Sequence, residues 1–177
     1  MKKSKLLIIF PLVFLLFLGC ARQHQKRVIT PEQIPSEQKN QSQLIDDLPR
    51  DLTKSRQTVV RHAIYNLGQP YRWGGHAPDT GFDCSGLVFY AHGKAGLRTP
   101  RTAKDQLKKG RPVAKPSIQP GDLVFFKIPG KKTGLHVGIY IGTGQFIHAP
   151  GSGRKISLAR LNNVYFSRHF KGARSYF

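Results

Sequence analysis

The amino-acid sequence predicts an α+β domain in which helices come first and a mainly antiparallel sheet follows. Three observations carry this. Val59, Val60, Ala63, Ile64 and Leu67 recur at helical spacing ahead of Gly68, a natural C-terminal cap. A second helical run starts near Asp83 or Cys84, with Leu87, Val88 and Ala91 on one stripe and Gly93 and Gly96 to stop it. After the turn Gln119-Pro120-Gly121-Asp122 the periodicity changes: an apolar run over 123–126 reads as a buried strand, and segments 135–141 and 145–149 flank Gly142-Thr143-Gly144.

In chain order, the amino end carries Lys2, Lys3 and Lys5 and then an apolar run over 6–18 that contains Pro11. The run is too short for a membrane span of roughly 20 residues and reads as a secretory signal peptide, residues 1–19. Gly19-Cys20 directly after it resembles a bacterial lipoprotein cleavage site, which implies that Cys20 becomes the lipidated first residue of the mature chain. Cys84 is then the single thiol of the exported part, and no internal disulfide can form. Residues 21–52 are rich in Gln, Ser, Lys and Asn with three prolines and few aliphatics, so 20–52 is expected to be a lipidated, flexible tether with no core of its own. The domain is expected over 53–177. Within it, Gln69 to Gly75 make a tight connection, and Thr102 opens a third helix with Asp105 placed for a capping box and Gly110 ending it. Short strands near 155–158 and 168–174 close the domain.

Charge is unevenly spread. Residues 53–177 hold 21 Lys/Arg against Asp79, Asp83, Asp105 and Asp122, a net +17. Such a field favours polyanions, and for an exported chain envelope polymers are the expectation rather than nucleic acid.

Cys84 at a helix start sits where backbone N–H groups and the dipole favour a thiolate, and where the same amides could hold an oxyanion. Read alone, it is equally a small buried hydrophobe. Two histidines shift the balance. A three-residue loop at 142–144 sets Ile141 opposite Gln145, which puts His136 opposite Pro150 and diagonal to His148 on one face. A two-residue loop puts them on opposite faces. A cysteine facing a histidine oriented by a second polar ring is the nucleophile, base and orienter of covalent catalysis. Zinc on Cys84, His136 and His148 is the chemical competitor, but no CxxC or HxxxH spacing supports it and no metal or cofactor is expected.

Five ordered motifs then become informative together: Pro70-Tyr71-Arg72-Trp73-Gly74-Gly75, Gly81-Phe82-Asp83-Cys84-Ser85-Gly86, Pro100-Arg101-Thr102, residues 120–126, and His136-Val137-Gly138-Ile139-Tyr140 with Phe146-Ile147-His148-Ala149. Over about 55–174 the chain resembles the NlpC-type cell-wall peptidases. The resemblance implies a papain-like fold, with N-terminal helices packed on the sheet. It also implies cysteine-type cleavage of peptidoglycan stem peptides, either at the D-glutamyl to diamino acid bond or at the D-alanine to diaminopimelate cross-link. Cys84 is implied as nucleophile, His136 as base and His148 as third polar residue. Tyr71 is implied beside the cysteine, with Asp83 and Ser85 receiving a substrate amine. Trp73 is expected in the aromatic core, and Arg101 has no assigned role. The expected setting is a monomer anchored by its lipid to a bacterial membrane, on the periplasmic face of the outer membrane. A non-catalytic wall-binding lipoprotein, and an amidase or acyltransferase on the same scaffold, remain the rival readings.

Overall fold

A computed structural model describes residues 34–129 and 134–177, so the expected signal peptide and Cys20 lie outside the described residues. Helix α1 (Ile34–Asp46) precedes α2 (Lys54–Tyr65), which Thr53 caps by accepting the Arg56 N–H. A two-stranded ribbon, β1 (His76–Ala77) and β2 (Gly81–Phe82), leads into α3 (Cys84–Lys94) and α4 (Ala103–Lys109). The Thr102 hydroxyl accepts the Asp105 N–H and donates to the Asp105 carboxylate, so the expected cap is in place. The remaining strands are β3 (Arg111–Val113), β4 (Leu123–Lys127), β5 (Leu135–Gly142), β6 (Gln145–His148), β7 (Ser157–Arg160) and β8 (Phe170–Ser175), with α5 (Val164–His169) ahead of β8. They form one antiparallel sheet in the order β3-β8-β4-β5-β6-β7.

Period-two alternation sorts the sheet into two faces. Leu123, Phe125, Val137, Ile139, Ile141 and Ile147 pack with the apolar stripes of α2 and α3 into the main core. Val124, Phe126, Phe146 and Ala173 make a second cluster on the opposite face, covered by Phe166 and Phe170. Arg56 of α2 crosses the main core's edge as a buried cation. Its Nη1 donates to Asp122 Oδ1 at 3.1 Å and to the Pro120 carbonyl at 2.7 Å, its Nη2 to Ser175 Oγ at 3.4 Å, and its guanidinium lies 4.1 Å above the Phe177 ring. One side chain thereby ties the first core helix to the entry of β4 and the end of the chain.

Two expectations are corrected here. The stretch expected as tether is helical over Ile34–Asp46, and Leu44, Ile45 and Leu48 rest against the main core. The few aliphatics of that stretch are concentrated at one helical pitch near its end, a local pattern that average composition conceals. The β5–β6 connection is also tighter than expected. Ile139 pairs with Ile147, Tyr140 with Phe146 and Gly142 with Gln145, so Thr143-Gly144 is a two-residue turn and Ile141 is a bulge. Thr143 and Gly144 both have positive φ (48° and 72°), as a type I′ turn requires. The extra residue in β5 cancels the shorter loop, so His136 and His148 still share a face.

Candidate active site

The site is assembled where the start of α3 meets β5. Asp83 has extended φ/ψ and accepts the Gly86 N–H on Oδ1 at 2.6 Å, which makes it the N-cap. Cys84 is therefore the first residue of an 11-residue helix, half-buried, with the positive end of the dipole behind it. A cleft of about 670 Å³ opens beside it, walled by Tyr71, Trp73, Ser85, Arg101 and, from β5, Leu135.

Both Asp83 oxygens are saturated. Besides Gly86, Oδ1 receives Ser85 Oγ at 3.1 Å and Arg101 Nη1 at 2.9 Å, and Oδ2 receives Arg101 Nη2 at 2.7 Å and the Gly74 N–H at 3.0 Å. Burial pushes the Asp83 carboxyl up, but the Arg101 fork and the Gly86 and Ser85 donors outweigh it and hold the group below the usual carboxylate range. Arg101 also donates to the Gly75 carbonyl, and the Asp83 N–H does the same, so cleft loop and helix start are one bonded unit. Tyr71 feels both acidic groups. Burial first, then the neighbouring Cys84 and Asp83, push its phenol up, and it remains a protonated donor beside the sulfur.

On β5 and β6 the two imidazoles are almost fully enclosed, His136 at 4 % exposure and His148 at 6 %. His136 Nε2 and His148 Nδ1 are 2.7 Å apart, with ring planes crossed at 76°. Phe126 supports the first ring, and Phe146 and Phe166 support the second. The hydrogen bond fixes the use of one His136 nitrogen and leaves Nδ1 as the one that can exchange a proton with a thiol. A second cavity of about 380 Å³ is lined by both imidazoles.

Residues 68–175 match the NlpC/P60 family. The chain belongs to that family. Among its NlpC/P60 relatives are Murein DD-endopeptidase MepH of Escherichia coli, 41 % identical over 134 residues (74 % of this chain, 49 % of that one), and the bifunctional muramidase/DL-endopeptidase CwlT of Bacillus subtilis, 43 % identical over 115 residues (64 % and 34 %). The chain thus spans about half the length, or less, of these relatives. Solved NlpC/P60 structures superimpose on it: one from Bacillus cereus with TM-score 0.64 at 34 % identity (75 % of this chain, 42 % of that one), and the NlpC/p60 domain of the peptidoglycan hydrolase SagA with TM-score 0.57 at 32 % (68 % and 97 %). The papain-like α+β architecture expected from the sequence is the one observed.

Within this NlpC/P60 domain, Tyr71, Asp83, Cys84 and Ser85 share the cleft, and His136 and His148 share the neighbouring cavity. Among the described residues, no group of three His, Cys, Asp or Glu side chains is placed to hold a metal ion. Trp73, expected in the core, is 79 % exposed at the cleft rim. The chain turns sharply at Gly74 (φ +76°) and its loop is pinned to Asp83, so no apolar surface covers the indole. Sequence reasoning missed Arg101 and Gln106. The first grips Asp83; the second, fully buried, donates Nε2 to the Ser85 and Pro100 carbonyls. The signal for Arg101 was the motif Pro100-Arg101-Thr102, in which the arginine had no physical reason assigned; Gln106 lies outside every motif.

Proposed function

We propose that this chain is a cysteine endopeptidase of peptidoglycan. The observation that carries the reading is the 2.7 Å bond between His136 Nε2 and His148 Nδ1, next to a cysteine that opens a capped helix in a cleft. His148 holds the ring so that His136 Nδ1 takes the Cys84 proton. The thiolate attacks the scissile carbonyl, the first-turn amides of α3 hold the oxyanion, and the amide nitrogen leaves with the proton from His136. Water, deprotonated by the same imidazole, then hydrolyses the thioester and restores the thiol.

The substrate class is the stem peptide, cut at the D-glutamyl to diamino acid bond or at the D-alanine to diaminopimelate cross-link. Relatives named as DD- and DL-endopeptidases support both bonds. The net +17 of residues 53–177 suits an anionic polymer. A lipid on Cys20 would hold the domain at a bacterial membrane, on the periplasmic face of the outer membrane, within reach of the wall. Purified uncrosslinked and crosslinked muropeptides, incubated with the protein and with its Cys84→Ala variant, test the reading by mass spectrometry. Fragments released only by the active form are expected, and their masses name the bond. Unchanged muropeptides from a folded protein whose thiol alkylates rapidly would overturn the peptidase in favour of an acyltransferase or a different amidase. An unreactive thiol as well would leave a wall-binding protein.

A further inference from the structure

In the peptidase reading, the two cavities would take different halves of the substrate. The proton that His136 takes from Cys84 must reach the scissile nitrogen, so the amine half lies on the imidazole side of the sulfur and the acyl half runs along the Tyr71 and Arg101 cleft. The imidazole-side cavity, about 380 Å³, is lined by His136, His148, Pro150, Tyr165, Phe166 and Arg154.

Arg154 is built into this wall without a task in the fold. Its main chain is fixed on both sides: the N–H donates to the Gly151 carbonyl, and the carbonyl accepts the Tyr71 N–H at 2.9 Å. Its side chain is exposed and makes no hydrogen bond or ion pair among the described residues. Among the described residues it takes part in no salt bridge. Of the four aspartates of residues 53–177, Asp83 is held by Arg101, Asp122 by Arg56 and Asp105 by Thr102, and Asp79 sits in the turn between β1 and β2. A planar cation beside an apolar wall of Tyr165 and Phe166 suits a ligand that is aliphatic with a carboxylate at one end.

We propose that Arg154 anchors a free carboxylate on the carbon that bears the scissile nitrogen, which makes the D-alanine to diaminopimelate cross-link the preferred bond. In that cross-link the leaving amine sits on a carbon with an unblocked carboxylate. In the D-glutamyl to diaminopimelate bond of a tetrapeptide stem, the corresponding carboxyl is already joined to D-alanine. The inference rests on the peptidase reading and names the substrate of the same site.

Two measurements separate the inference from that reading. The first is calorimetric binding of crosslinked muropeptide dimers, with the diaminopimelate carboxylate either free or amidated, to the Cys84→Ala protein and to Cys84→Ala with Arg154→Gln. The free acid is expected to bind about tenfold or more tightly than the amide, and the second substitution to erase the difference by weakening only the free acid. The second is steady-state cleavage of the same dimers by wild type, Arg154→Gln and Arg154→Lys. The discrimination is expected in KM rather than kcat, with lysine intermediate because it keeps the charge and loses the fork. Equal weakening of both ligands by Arg154→Gln, or of neither, overturns the inference. Absent cleavage with intact binding discrimination would overturn the peptidase reading and leave the carboxylate subsite standing.

Discussion

Arg101 holds both oxygens of Asp83 and so holds the helix start that presents the thiol. Its replacement by methionine leaves a carboxylate with its amide and hydroxyl donors and no countercharge. Because the arginine is about a third exposed, the expected cost is modest, about 1–2 kcal/mol in urea unfolding near neutral pH. The sign with pH follows from the depressed Asp83 carboxyl. Its contribution is present above the unfolded-state carboxylate range and is lost as pH falls through the lower folded value, so wild type and Arg101→Met converge in acid. Asp83 already accepts five hydrogen bonds, so a substrate amine brought to it would meet its field more than a vacant lone pair. The histidine pair gives a second prediction. If His148 orients His136, His148→Asn should retain activity within about tenfold of wild type, whereas His148→Ala should lose roughly a hundredfold or more in kcat. His136→Ala should match Cys84→Ala, since nucleophile and base act as one unit. Cys84, His136 and His148 were legible as types and spacings in the sequence, whereas Tyr71, Asp83 and Ser85 entered only through the family resemblance. The Asp83 partner was not legible, because Arg101 lies 18 residues away in a loop and no periodicity reports a pairing across loops.

At the scale of elements, α3 is set by contacts that its own propensity opposes. Gly86 lies in the first turn, and glycine to alanine in a helix ordinarily gains about 1 kcal/mol. Here a Cβ on Gly86 would run into the Gly75 carbonyl oxygen, a backbone atom of the cleft loop that the Asp83 N–H and Arg101 also hold. Gly86→Ala should therefore destabilise by about 1–3 kcal/mol and slow alkylation of Cys84, measured by thermal melting and iodoacetamide kinetics. The β5–β6 hairpin shows where sequence reading stops. The register followed from the loop assumed at 142–144, which pairs Tyr140 with Phe146 as observed. The bulge was not readable, because a three-residue loop and a two-residue turn with one extra strand residue use the same number of residues between Tyr140 and Phe146. Helix α1 escaped for a different reason: its contact residues Leu44 and Ile45, with Leu48 just beyond its end, are diluted in a polar, glutamine-rich stretch.

For the molecule as a whole, acid sensitivity should be set by a residue outside the site. His92 of α3 is fully buried, its Nδ1–H donating to the Val88 carbonyl and its ring packed on Tyr176 and Phe177 at the chain's end. Burial, with the Arg56 charge adding to it and the Val88 bond opposing it, lowers its pKa to about 4. The unfolded chain takes up that proton near the ordinary histidine value of 6.5, so stability rises with pH across this window and is lost as pH falls from 6.5 towards 4. The loss amounts to about 3 kcal/mol at the bottom of the window. His92→Leu should flatten the slope of urea-derived stability between those values while leaving the acid limb due to Asp83 in place. An unchanged slope would place the titration elsewhere.

The sequence contains one tryptophan, and the structure puts it in solvent at the rim of the cleft. The consequence is optical. All indole emission from this protein comes from Trp73, which lines the same cleft as Asp83 and stands against the wall that the acyl half of a substrate would cover. A muropeptide that enters the cleft of the Cys84→Ala variant should strip water from the ring and shift its emission to shorter wavelength, whereas denaturation should scarcely move the spectrum because the ring is already wet. Ligand occupancy can thus be followed in unlabelled protein, without turnover.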